Sequence, residues 1–283
     1  DLRDGVAVNR MSLIGQVQDL LPTTVAVEFN DVVALECALR AGEVACVLAE
    51  PVMTNIGMVL PAPDYWQKAQ AMIQAAGSLL IIDETHTISS GAGGYTQAHG
   101  LQPDCLVVGK PIAGGVPCAV YGMRAEVASN ALKAKQEAPS GHSGIGTTLT
   151  ANMLTMCAMR ATLEHVMTDA AYAHMFKLAD TLAENLRLVI AQHKLPWCVT
   201  QVGARVEFQF TQSPPKNGSQ AAQILDSELE HVIHLYLLNR GVLITPFHNM
   251  LLVCPATSAA DINKLTEVFV ACVAALTKEE IIH

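Results

Sequence analysis

The segment Ser78–Gly115 reads SLLIIDETHTISSGAGGYTQAHGLQPDCLVVGKPIAGG, and the fold follows from it. One apolar run, Leu79 to Ile82, ends in Asp83. A second, Leu106 to Val108, ends in Gly109-Lys110 and a turn rich in Gly and Pro. The two runs predict buried parallel strands, each delivering one charged group at its carboxyl end, the edge where open α/β sheets place ligands. Working outward, Thr24–Phe29 alternates like a strand, Asn30 or Asp31 can cap a helix through Ala41, and Val44–Leu48 reads as a strand ending at Glu50-Pro51. Asp64 caps a helix to about Ala76, a short helical patch lies near Tyr95–His99, and Cys118–Met123 is a further strand. Such alternation predicts a mostly parallel central sheet with helices on both faces.

From Ala151 to His193 the pattern is helical without Gly or Pro, as one long helix or two. The style then changes. Strands Trp197–Val202 and Arg205–Phe210 flank Gly203, followed by a helix over Gln220–Asn239, a strand pair (Val242–Thr245, Leu251–Cys254) and a final helix from Ala259 to about Lys278. The expected division is a large domain over 1–165, a connecting helix over 166–194 and a small C-terminal α+β domain over 195–283.

The 283 residues are 51% hydrophobic and 15% charged with net charge −9, which suits a large core and argues against nucleic-acid binding. No run of about 18 apolar residues suggests a membrane span. Eight dispersed cysteines without a CxxC pair read as reduced core residues of a cytoplasmic protein.

An unpaired charge against apolar strands is costly, so Asp83 and Lys110 require an explanation. Lys110 is either a surface lysine or a functional amine; a P-loop fails because Pro111 follows it where Ser or Thr is required. Asp83 could be a helix cap or, with His86, part of a weak metal pattern. The glycines Gly91 to Gly94 do not open a helix after a strand as a dinucleotide fingerprint does. Asn55 is either a turn residue or a donor to a phenolic oxygen, and Thr147-Thr148 either a cap or a phosphate site. His86 and His142 read as loop histidines. A pyridoxal 5'-phosphate (PLP) ring accounts for both strand-end charges: a lysine forms a Schiff base with its aldehyde, and an aspartate keeps its pyridine nitrogen protonated.

Together these pieces resemble the class III, fold type I, PLP-dependent aminotransferases, nearest to the branch of glutamate-1-semialdehyde aminomutase and the β-amino acid aminotransferases. The matching stretches are Glu50-Pro-Val-Met-Thr-Asn55, Ile81-Ile-Asp-Glu84 with Thr87, Pro103-Asp104, Gly109-Lys-Pro-Ile-Ala-Gly-Gly115, Pro117, Tyr121-Gly122 and Gly146-Thr-Thr-Leu-Thr-Ala-Asn152. The resemblance implies that Lys110 carries the Schiff base and shuttles the proton, and that Asp83 pairs with the pyridine nitrogen. It also implies that Thr85 lies on a ring face, Asn55 reaches the phenolic oxygen, and Thr148, with Thr147 as alternative, binds phosphate across a homodimer. Glu50 joins the cofactor-binding set. The implied activity moves an amino group between an amino acid or amino aldehyde and an oxo acceptor. A semialdehyde-type aminomutase, a racemase on the same fold, and a non-catalytic fragment or partner subunit remain alternatives.

Two departures stand out. Asp-Glu-Thr-His-Thr replaces the family's usual Asp-Glu-Val-Met-Thr, and no arginine in Thr245-Pro-Phe-His-Asn249 matches the carboxylate-binding one of ornithine- or GABA-type members. The family also carries a long segment before the point matching Asp1, including the first strands of the large domain and a phosphate loop. The chain is therefore expected to be part of a longer protein, with its N-terminal strands and half of its cofactor site outside it.

Overall fold

The computed structural model describes residues 2–3, 6–8, 23–139, 141, 146 and 148–278. A short antiparallel pair, β1 (Leu2–Arg3) and β2 (Val6–Ala7), opens the described chain. Asp31 caps α1 (Val32–Leu39) by accepting from the Ala34 amide at 2.8 Å. Strand β3 (Cys46–Ala49) and helix α2 (Tyr65–Ala75) lead to β4 (Leu79–Asp83); then come α3 (Gly94–Ala98), β5 (Cys105–Val108), β6 (Val120–Met123) and α4 (Ala125–Glu137). The sheet order is β3-β4-β5-β6, with β3, β4 and β5 parallel and β6 antiparallel at the edge.

Register decides what each face does. Val47 pairs with Leu80, Ala49 with Ile82, and Ile82 with Leu106. These residues face the core formed with Phe29, Leu35, Trp66 and Ile73 of the preceding segment, α1 and α2. The alternate set, Leu48, Ile81, Cys105 and Asp83, faces the other way, and Leu48 is 68% exposed. The strands are thus buried on one face and half-open on the other, where the sequence suggested burial on both. Pro103-Asp104 of the motif set is a strand fastener: Asp104 accepts from the Leu80 amide at 2.8 Å and lies 3.6 Å from Arg124.

The helical stretch after residue 150 is two helices, α5 (Met153–His165) and α6 (Asp169–Gln192), each capped at its start, by Asn152 and Thr168. The C-terminal sheet is antiparallel: β7 (Cys198–Val202), β8 (Arg205–Gln209) and β9 (Met250–Leu252). Its inner face shares one core with α6, α8 (Ser227–Leu238) and α9 (Ala259–Lys278), in which Phe208 packs on Trp197 and Phe269. The expected helix over Gln220–Asn239 is broken into α7 (Gly218–Gln223) and α8, because Asn217 and Asp226 each cap a separate start. Val242–Thr245 and Thr24–Phe29 form no strand; their alternation has no neighbouring ladder to join. The cysteines are all free, but only Cys272 is buried, and Cys37, Cys46, Cys157 and Cys254 are exposed, so they are not a core set.

The two sheets approach each other closely at the β7–β8 turn. Gly203, at φ +55° in the β7–β8 turn, sits so near the turn Thr87–Ser90 that a Cβ there would come within 2.6 Å of Ser90 Cα and 2.7 Å of the Ser89 carbonyl. Ala204 donates to that same carbonyl at 3.2 Å. Gly203→Ala is therefore expected to lower stability by at least about 1 kcal/mol. Denaturant unfolding checks this; an unchanged midpoint would show that the approach is loose.

Candidate active site

The carboxyl ends of β3, β4 and β5 gather the chemistry. Asp83 is the last residue of β4 and pairs in register with Val107. Its Oδ1 accepts from the Thr85 amide at 2.9 Å. Adjacent Glu84 points the other way and is fully buried. Its carboxylate accepts from the Thr87 hydroxyl and from the amides of Tyr95, at 3.1 Å, and Thr96. A Cβ on Gly94 would lie 2.6 Å from Glu84 Oε2, so the glycine-rich loop is shaped to wrap a buried carboxylate.

Lys110 follows β5 and opens a 3-10 turn (Lys110–Ala113) with its own backbone at φ +51°. That left-handed conformation favours Gly or Asn, so the lysine is kept for its side chain and not for its backbone. Although the residue as a whole is exposed, its Nζ end touches His86 Nε2. His86 Nδ1 lies 2.6 Å from Thr54 Oγ1, and Thr54 donates in turn to Glu50 Oε2. Because the Thr54 hydroxyl spends its proton on Glu50, its oxygen must accept from Nδ1–H, which leaves Nε2 as the acceptor for Lys110. The order Lys110, His86, Thr54, Glu50 thus holds only while His86 is neutral.

The electrostatics agree. Burial, then the charges of Arg205 and Lys110, lower the His86 pKa to about 4. Partial burial and the Arg205 charge lower the Lys110 amine, against the opposing pull of Glu50 and Asp83. Burial raises Glu50. Arg205 on β8 is itself buried beside this group.

Of the residues singled out from sequence, Lys110 and Glu50 are joined through His86 and Thr54, and Asp83 acts on Lys110, His86 and Glu50 through its charge. Thr85 stands beside the lysine loop, its Cγ2 3.6 Å from where a Cβ on Gly109 would be. Asn55 is exposed in the bend between bridge partners Met53 and Val59 and makes no hydrogen bond to the described residues. Thr148 is exposed in a turn, and Thr147 and His142 lie outside the described residues. Sequence reading missed Thr54 and Arg205 and undervalued His86; the one available signal was the Thr-His pair standing where the family has Val-Met. Among the described residues no group of three or more His, Cys, Asp or Glu is placed to hold a metal. A cleft of about 570 Å³ is lined by residues such as Phe176, Asp180, Arg187 and Thr200 and includes none of the strand-end groups. The chemistry is at the strand ends instead.

The donor set fits PLP: a primary amine of lowered pKa and a carboxylate close enough to act on it, at the ends of adjacent parallel strands. The class-III aminotransferase family matches residues 11–273. The chain belongs to that family. It is 35% identical over 210 residues to a glutamate-1-semialdehyde 2,1-aminomutase of an Anaeromyxobacter species, covering 73% of this chain and 47% of the relative. A glutamate-1-semialdehyde aminomutase from Pseudomonas aeruginosa, solved as a lysine-to-alanine variant in complex with PMP, superposes with TM-score 0.85 at 48% identity, covering 88% of this chain and 56% of the other. A β-phenylalanine aminotransferase from Variovorax paradoxus gives TM-score 0.80 at 25% identity, with 90% and 58% covered. The chain spans about half the length of the relatives it matches. No helix among the described residues is long and apolar enough to cross a membrane.

The His86 assignment is open to titration. By NMR its imidazole is expected to titrate near pH 4, against about 6.5 for a free histidine. Between these values only the unfolded chain takes up the proton, so stability falls as pH drops from about 6.5 to about 4. His86→Gln should flatten that part of the pH–stability curve. A midpoint near 6.5 would contradict the neutral hydrogen-bond chain.

Proposed function

We propose that the protein transfers amino groups with PLP, and that this chain supplies the lysine-bearing side of the site. The observation that carries the reading is the Lys110 amine and the Asp83 carboxylate issuing from adjacent parallel strands, with the amine's pKa lowered. When bound, PLP supplies an aldehyde that condenses with amines and a ring that takes up the electron pair of a deprotonated carbon.

The chain's own residues do the rest. Lys110 Nζ, less basic than a free lysine, would hold the aldehyde and carry the substrate proton. Asp83 would pair with the pyridine nitrogen and keep it charged. Thr85 would border the ring, Asn55 would serve the phenolic oxygen, and Thr148 or Thr147 the phosphate. Glu50, through Thr54, fixes the His86 tautomer and so gives the Lys110 amine a hydrogen-bond acceptor when it is free. The reading includes a homodimer, supported by the apolar side chains of Leu149, Met153 and Leu154, exposed by 71% or more beside Thr148. It also includes a cytoplasmic setting, supported by eight free cysteines. Small amino donors and oxo acceptors are the partners.

A second reading, the aminomutase form that returns nitrogen to the neighbouring carbon of the same molecule, is favoured by the 48% identity to a structure named for that activity. A panel of amino donors separates the two, since the mutase converts its own diamino or semialdehyde compound without a separate acceptor.

Adding PLP to the full-length protein should produce a visible absorption band above that of free PLP, absent in Lys110→Ala. Asp83→Asn should keep the band and lower turnover by at least about 100-fold. A band that survives Lys110→Ala would remove the lysine from the role assigned to it.

A further inference from the structure

Arg205 is anomalous. It is 3% exposed, and neither its Nε nor its Nη1 has a hydrogen-bond partner. Among the described residues it makes no ion pair within 4.0 Å. A guanidinium stays charged at any accessible pH, so it cannot escape burial by losing its proton. Its desolvation must be answered by an anion.

The carboxylates that act on it do not bond it. Glu207 lies two residues on along β8; its Oε1 accepts from His248 Nδ1 at 3.0 Å, and its buried Oε2 has no hydrogen-bond partner. Glu50 Oε2 accepts from the Thr54 hydroxyl. Both draw Arg205 electrostatically without bonding it. In the other direction, the charge of Arg205 is felt at Lys110, His86 and Glu50, and Arg205 follows the Gly203 turn that presses on Ser89 and Ser90 beside that site.

We propose that Arg205 binds a carboxylate of the substrate and so sets how an acidic amino donor or acceptor lies against Lys110. A carboxylate suits the unused N–H groups, since guanidinium and carboxylate match in shape and charge. A single negative charge is also tolerated beside Glu50 and Glu207 better than a dianionic phosphate, because like charges repel at short range. The position differs from that of the carboxylate-binding arginine of ornithine- and GABA-type members, sought and not found in Thr245–Asn249. The term substrate rests on the proposed function; the binding of a carboxylate by Arg205 does not.

The test is calorimetric binding of glutarate, with uncharged glutaramide as control, to the full-length PLP-loaded protein and its Arg205→Gln and Arg205→Lys variants. Glutarate has no amine, so binding is read apart from turnover, and the PLP absorption band is recorded in the same samples. Arg205→Gln should weaken glutarate by at least about tenfold and leave glutaramide unchanged. Arg205→Lys, which keeps the charge but not the planar donors, should fall between. If Arg205→Gln does not fold, Arg205→Lys decides: unchanged glutarate affinity overturns the assignment. Equal losses for glutarate and glutaramide would also overturn it, as would lower stability with glutarate affinity intact, which would make Arg205 a counter-charge to Glu50 and Glu207 only. Should the wild type show no PLP band, the proposed function fails, while the glutarate comparison still decides Arg205.

Discussion

The parallel pairing of β4 with β5 is the constraint on which the site depends. Ile82 opposite Leu106 and Asp83 opposite Val107 fix how far each strand runs before it turns away. The Glu84 amide extends the ladder by donating to the Val107 carbonyl at 2.8 Å. A slip of one residue would send Asp83 into the apolar core beside Ile73 and bring Ile82 to the open face, because strand side chains alternate. The burial of Leu80 and Ile82 forbids that slip. Ordinary hydrophobic packing on one side of the sheet therefore sets the position of a charge on the other.

The same alternation divides labour within the dipeptide Asp83-Glu84. Glu84 continues the core-facing set of Leu80 and Ile82, where water is excluded, so its charge is satisfied by backbone amides of the glycine loop. Asp83 continues the half-open set and keeps its field for Lys110 and His86. One carboxylate spends its hydrogen-bonding capacity on shaping the loop, and the other leaves part of its own free. Lys110 shows a parallel economy: its backbone accepts a left-handed conformation so that its amine can reach the strand ends.

Strand ends were legible in the sequence because their signal is local. An apolar run ending in a charge states both the strand and its terminus, and Glu50, Asp83 and Lys110 were found that way. The helix caps at Asp31 and the boundaries of α9 were legible for the same reason. The run Thr24–Phe29 alternates as well, but alternation says nothing about whether a neighbouring strand exists; Val25 is 69% exposed and no ladder forms. His86 and Thr54 were illegible as a pair because they are 32 residues apart and meet only once β3 and β4 lie side by side. Arg205 was harder still, since in sequence it is one polar residue among several in a strand of the expected small C-terminal domain.

That difficulty has a structural cause. Asp83 and the strand leading to Lys110 belong to the parallel sheet, where spacing along one chain segment fixes them. Arg205 sits on β8, next to the turn at which Gly203 lets the chain press against Ser89 and Ser90. Arg205 pairs with Val202 and Leu252 and takes no part in the register of β4 and β5, which Asp83 ends. The family motifs that end in Asp83 and Lys110 thus lie on the parallel sheet, while Arg205 lies on the antiparallel one.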